Sequence, residues 1–188
     1  MTDATTESEV KLQVDGLQPV RDGLERAGAH VVQGMTREIN WLYDSVDGRL
    51  QSGDMALRLR EYAGRCILTL KEAAVFQGPV KQRTEHEVEV SDSDGLRSIL
   101  ERLGYTRSLR YEKDREIWQL RAVQVMLDHT PMGDFVEIEG AESQVGEVAR
   151  SLDLELDQAL RLSYPRLWQE HRRLEGNADL PYDMVFVS

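Results

Sequence analysis

The sequence predicts an α+β fold built on a curled antiparallel sheet, and three observations lead there. Short runs of period-2 alternation recur along the chain, amphipathic helical patterns fall between them, and one face of nearly every run is charged. The first run, E-S-E-V-K-L-Q-V at 7–14, sets Glu7, Glu9 and Lys11 on one face and Val10, Leu12 and Val14 on the other. Residues 56–60, 66–71, 83–90, 123–128 and 135–139 repeat the pattern, and 41–44 is a weaker instance. Turn signals lie between them, such as Asp47-Gly48, Ala63-Gly64 and Gly78-Pro79.

The helical segments follow in order. Residues 17–27 place Leu17, Val20 and Leu24 on one side before Gly28 ends the run. Residues 94–103 start after Asp92 or Ser93 as N-cap and stop at Gly104, with Leu96, Ile99, Leu100 and Leu103 as the apolar stripe. Further helices are expected at 142–152 and at 155–174, the latter with a break at Pro165. Residues 1–188 read as one domain with a tail at 175–188, in which Gly176, Asn177 and Ala178 form a hinge before an apolar end. That end is expected either to add an edge strand or to fold over a cavity mouth and bring Tyr182 to it.

Composition narrows the partners. Lys plus Arg number 23 against 34 Asp plus Glu, a net charge of −11, which excludes a protein devoted to nucleic-acid backbones. No apolar run approaches the roughly 20 residues of a membrane span, and the N-terminus lacks a signal-peptide pattern. One cysteine, Cys66, forbids an internal disulfide and fits a reducing compartment, so the expected location is cytoplasmic. The four histidines lack metal-ligand spacing, and His86 is expected to point outward.

The charged faces carry the functional signal. Arg58/Arg60, Lys71, Arg83/Glu85/Glu87, Lys113/Arg115, Asp128 and Glu137/Glu139 each fall on a single side of their strand, as Glu7/Glu9/Lys11 do. Any one such doublet is ordinarily a solvated sheet face. Strand after strand of them, backed by apolar residues that helices can cover, implies a barrel whose lumen is charged. Such a lumen stores repulsion unless a ligand neutralises it. Arginines suit a chain of phosphates, and carboxylates suit Mg²⁺ or Mn²⁺ bridging to them. The run at 112–116 fits poorly, because Glu112, Asp114 and Glu116 make its other face acidic, and an edge or barrel rim is expected there.

In this order the motifs resemble the triphosphate tunnel metalloenzymes, or CYTH proteins, which include class IV adenylate cyclases and thiamine triphosphatases. They are E-S-E-V-K (7–11), L-R-L-R (57–60), L-T-L-K (68–71), R-T-E-H-E (83–87), K-D-R (113–115), L-D (127–128), G-D-F-V-E-I-E-G (133–140) and S-Y-P-R-L (163–167). The resemblance implies an eight-stranded antiparallel tunnel with helices outside. It further implies Glu7, Glu9, Asp128, Glu137 and Glu139 as metal ligands or their supports, and Glu85 and Glu87 as carboxylates for a second metal. Arg58, Arg60, Lys71, Arg83, Lys113 and Arg115 become a phosphate cradle. Lys11 becomes the residue that positions or deprotonates the nucleophile, with its pKa lowered by crowding from Arg58 and Arg60.

The implied cofactor is Mg²⁺ or Mn²⁺, and the implied substrate is ATP, tripolyphosphate or thiamine triphosphate, with a homodimer left open. Hydrolysis ranks first among the activities. A cyclase forming cyclic AMP and pyrophosphate is the alternative, and a non-catalytic polyphosphate sensor comes third.

Overall fold

The computed structural model describes residues 5–174 and 182–187. Alternation becomes strand as expected in β1 (Thr5–Val14), β3 (Ala56–Tyr62), β4 (Arg65–Lys71), β6 (Val80–Glu89), β8 (Val123–Thr130) and β9 (Gly133–Glu139). Two long strands, β2 (His30–Ser45) and β7 (Tyr105–Leu120), reach well beyond the weak signals at 41–44 and 113–115, and a short β5 (Val75–Gln77) adds to β6. The pairings between these strands are all antiparallel, in the order β1-β9-β8-β7-β2-β3-β4-β6. β1 joins the two ends, with Glu9 opposite Glu139 on β9 and Glu7 opposite Arg83 on β6. Eight strands thus close an antiparallel barrel, and β5 lies outside it.

Closure leaves apolar wall outside, and the helices cover it. α1 (Gln18–Arg26) and α4 (Glu142–Ser151) bury Leu24, Val145 and Ala149 against Val10, Val125, Val136 and Ile138. Full burial of such side chains stabilises by about 1.5–3 kcal/mol each. α3 (Ser93–Arg102) is capped by Asp92, whose carboxylate accepts the Gly95 N–H at 2.9 Å. It buries only Leu100 and packs Leu96 near Tyr43 and Leu59; Ile99 and Leu103, expected in the stripe, are exposed. A short α2 (Arg49–Ser52) is capped by Asp44, which accepts the Leu50 and Gln51 N–H groups at 2.9 Å.

The single helix expected over 155–174 is instead a 3₁₀ turn, Leu156–Gln158, and α5 (Tyr164–Leu174). Pro165 sits at the second position of α5, where its missing N–H costs nothing, so it starts the helix rather than breaking it. α5 brings Tyr164 and Trp168 against Leu109, Tyr111 and Phe135.

The acidic run of β7 is neither edge nor rim. β7 pairs with β2 throughout and with β8 from Asp114 to Leu120. Its outward acids are matched from α1, β2 and β7 itself: Glu116 takes Arg21 at 2.7 Å, and Glu112 takes Arg37 at 3.1 Å and also Arg110. The first half of β7 has a free edge, and the C-terminal segment occupies it. Met184, fully buried, donates to Arg110 O at 3.0 Å and accepts from Glu112 N at 2.8 Å. The hinge expected at Gly176–Ala178 lies outside the described residues. No helix among the described residues is long and apolar enough to cross a membrane.

Candidate functional site

A cavity of about 210 Å³ runs through the barrel. Every residue singled out from the charged doublets lines it except Asp128, which lies fully buried behind the wall. The cavity has two electrostatic regions.

On one side the charges neutralise each other. Arg115 donates to both Asp128 oxygens at 2.6 Å and also binds Glu137. Lys113 sits 3.1 Å from Asp128 and 3.5 Å from Glu38, and Lys11 is 3.0 Å from Glu137. Tyr164 ties the cluster together: its hydroxyl donates to Asp128 at 2.6 Å, and its ring lies 4.0 Å from the Lys11 ammonium and 4.7 Å from that of Lys113. Burial pushes the Glu38 carboxyl up, but Lys113, Arg115, Arg58 and Arg60 overcome it and hold the group at about 2. Glu137 is held well below the usual carboxylate range, burial being outweighed by Lys11, Lys113 and Arg115. Asp128, with its oxygens taken by these partners, fits a support for the wall rather than a direct ligand.

Lys11 departs from expectation. Burial would lower its pKa, yet Glu137 and Glu9 raise it above the ordinary value. The reason is register: β1 lies beside β9, with Lys11 directly opposite Glu137, and not beside the strand that carries Arg58 and Arg60. Register thus favours the protonated form of Lys11.

The other side is unbalanced. Glu7 is pushed up to about 8, first by burial and then by Glu139 and Glu85, against the pull of Lys71. Glu139 is also raised, by burial, Glu9 and Glu137. Glu9 is held at about 2: burial and Glu137 push it up, and Lys81, 2.8 Å away, with Lys11 and Lys71 pulls it down. Lys71 pairs with Glu85 but is lowered by burial and by Arg58. Glu87 accepts from Thr69 at 2.7 Å and lies 3.8 and 3.9 Å from Arg58 and Arg60. Arg83 pairs with Asp54 at 3.0 Å. Among the described residues, the Nε atoms of Arg58, Arg60 and Arg83 and one oxygen of Glu85 are buried without a hydrogen-bond partner. Orphaned polar groups of this kind cost about 1–3 kcal/mol each, which a ligand can recover.

These motifs match the CYTH domain model over residues 5–172. The chain belongs to the CYTH domain family. A curated relative from Methanocaldococcus jannaschii, named provisionally as an adenylate cyclase, is 26% identical over 172 residues, covering 86% of this chain and 97% of the relative. Among solved structures, a protein of Vibrio parahaemolyticus with the same provisional name superposes with a TM-score of 0.78 at 19% identity, covering 89% of this chain and 99% of that one. A Hippeastrum protein, provisionally named an adenylyl cyclase and described as having a dominant triphosphatase activity, reaches 0.66 at 17% identity, covering 88% and 96%. These two likenesses establish the shared barrel.

Several lining or supporting groups of this CYTH chain escaped the sequence reading. Lys81 continues the alternation of Arg83, Glu85 and Glu87 by one step and was legible there. Glu38 and Asn40, both fully buried, alternate with Ile39 and Trp41 on β2, but the exposed stretch from His30 to Arg37 masks the pattern. Asp54 belongs to a turn with φ +53° and has no periodic signal. Tyr164 and Arg166 sit within S-Y-P-R-L, a motif that reveals no role until α5 is placed at the barrel.

Proposed function

We propose that the tunnel binds a triphosphate chain and hydrolyses it with a divalent cation. The observation that carries this is the set of three buried, unpartnered guanidinium Nε atoms on Arg58, Arg60 and Arg83. They are preorganised donors for phosphoryl oxygens, and phosphoryl transfer needs mainly positioning and charge stabilisation. Lys71 lies on the same wall, while Lys113 and Arg115 are held by Glu38, Asp128 and Glu137 at the far side of the cradle.

The donor set also fits a hard cation. Glu7 and Glu139 are oxygen donors whose carboxyl groups are raised first by burial and then by neighbouring carboxylates, and a bound cation would offset both. No three Asp, Glu, His or Cys side chains among the described residues form a ready-made cage. That suits Mg²⁺ or Mn²⁺, which take one or two carboxylates and complete their shell with phosphate oxygens and water. Glu7 and Glu139 would supply those carboxylates, with Glu9, paired to Lys81, supporting them, and Glu85 and Glu87 stand near enough to the cradle to serve a second ion. When bound, the metal supplies Lewis-acid stabilisation and a lowered pKa for water. Lys11, kept protonated by Glu137, orients and neutralises charge and does not act as a base.

The second reading is cyclisation of ATP, in which the ribose 3′-hydroxyl attacks the α-phosphorus and pyrophosphate leaves. The name of the Methanocaldococcus relative and the apolar stretch of cavity wall at Leu42 and Leu109 favour it. Purified protein with Mg²⁺ or Mn²⁺ should release orthophosphate from at least one of ATP, tripolyphosphate and thiamine triphosphate. Pyrophosphate release with cyclic AMP from ATP moves the assignment to the cyclase; no release under any combination removes both.

A further inference from the structure

One buried carboxylate stands outside the sequence motifs and faces the cradle from behind. Glu38 alternates with Ile39 and Trp41 on β2, so it shares the inward side with Asn40 and Leu42, but it is fully buried while Leu42 reaches the cavity. Its neighbours across the sheet are Tyr62 on β3 and Lys113 on β7. One oxygen accepts from the Asn40 amide at 3.0 Å and lies 3.5 Å from Lys113. The other lies 4.0 Å from Arg115 and has no hydrogen-bond partner among the described residues. Asp128 behaves differently, taking Arg115 on both oxygens at 2.6 Å as a clamp. Glu38 keeps distances at which charges attract without fixing each other's orientation.

The field of Glu38 falls on cavity-lining cations. Burial would raise its carboxyl, but Lys113, Arg115, Arg58 and Arg60, all on the cavity wall, hold it at about 2, so it stays ionised at neutral pH. In the other direction, Arg60 is lowered by burial and by Arg58, and Glu38 opposes both. Resting on the reading of the tunnel as a triphosphate site, we propose that Glu38 is a positioning residue that tempers the cradle: acting through Lys113, Arg115 and Arg60, it offsets part of their pull on a phosphate chain and lets the chain or its products leave. Without it, the same cations would hold substrate and phosphate products alike more firmly, which lowers KM and gives no gain in turnover. A residue present only for stability would loosen the site when lost. Loss of the Glu38 charge should do the reverse, because Lys113 and Arg115 remain held by Asp128 and Glu137 while the opposing charge falls.

Wild type, Glu38→Gln and Glu38→Asp separate the two roles. Calorimetry measures binding of tripolyphosphate in EDTA and of a non-hydrolysable ATP analogue with Mg²⁺. Glu38→Gln should bind both about tenfold more tightly, the scale set by removing one unit charge from the partly buried surroundings of an anion. Glu38→Asp keeps the charge and should stay within about threefold of wild type. In turnover, Glu38→Gln should lower KM about tenfold without raising kcat, since the added attraction acts on substrate, transition state and product alike. The variant also leaves Lys113 and Arg115 with less buried countercharge and should melt lower when empty. The same excess of tripolyphosphate should then raise its midpoint further than that of wild type. Equal or weaker binding by Glu38→Gln overturns the proposal, as does a variant that stays unfolded in saturating tripolyphosphate, or an equal gain in Glu38→Asp. If wild type binds neither probe, the triphosphate reading fails and takes this role with it; if wild type binds and Glu38→Gln gains nothing, only the role of Glu38 falls.

Discussion

The two sides of the tunnel contain similar residues and behave differently. Around Lys11, Lys113 and Arg115, each cation meets Glu137, Asp128 or Glu38 at 3.5 Å or less, in completely or nearly completely buried pairs. Around Glu7, Glu85, Glu139 and Lys71, the carboxyl groups of Glu7 and Glu139 are driven up and the Lys71 amine is driven down. The first region is neutralised by the protein itself and acts as structure. The second carries charge that the protein leaves unmatched, and that is where a cation and phosphates are of use. Buried charge therefore does not mark a binding site by its density; the mismatch does.

The sharpest way to break this contrast is to damage the balanced side. Glu137→Gln leaves Lys11 and Arg115 short of a buried partner and should cost about 3–5 kcal/mol of stability, read by urea denaturation. A loss below about 1 kcal/mol would mean that water already screens the pair.

On the unbalanced side, Glu139→Gln should leave stability unchanged or raised and cut metal-dependent turnover roughly a hundredfold. Retained turnover would separate Glu139 from the metal. The same side should also respond to pH. Glu7 titrates at about 8 when folded against an ordinary 4.5, so the folded protein holds that proton longer. Its contribution is complete below pH 4.5 and is lost as pH rises through 8. In EDTA, wild type should lose stability over that window, and Glu7→Gln should lose less; equal slopes would contradict the mismatch. The smallest effect is expected outside the barrel. Arg21→Ala frees Glu116 on the outer face of β7 and should cost about 1 kcal/mol or less.

Strand period told which face each charged residue occupies, because alternation is a local property that closure preserves. For that reason Arg58, Arg60, Lys71, Arg83 and the glutamates of β1 and β9 were legible as cavity-lining residues. Period does not tell which strand lies alongside. The neighbour of Lys11 is set by pairing across more than a hundred residues, so its carboxylate partner was invisible and its pKa was expected to move the wrong way. β7 was misread as a margin for the same reason: the arginines that satisfy its outer acids come from α1, from β2 and from Arg110 on β7 itself. The C-terminal segment could be expected on an edge, but not on which edge, and the same segment also delivers Tyr182 to the cavity.

Among the described residues, β1 makes no hairpin with its neighbour in sequence and pairs with β6 and β9 alone. Both partners lie later in the chain, so it cannot pair until residues near 85 and then near 139 are present. High contact order of this kind slows folding toward milliseconds or seconds and leaves an unpaired, half-apolar strand exposed meanwhile. β1 also carries Glu7, Glu9 and Lys11. The glutamates and lysine of β1 therefore join the charged wall of β3, β4 and β6 only when the barrel closes.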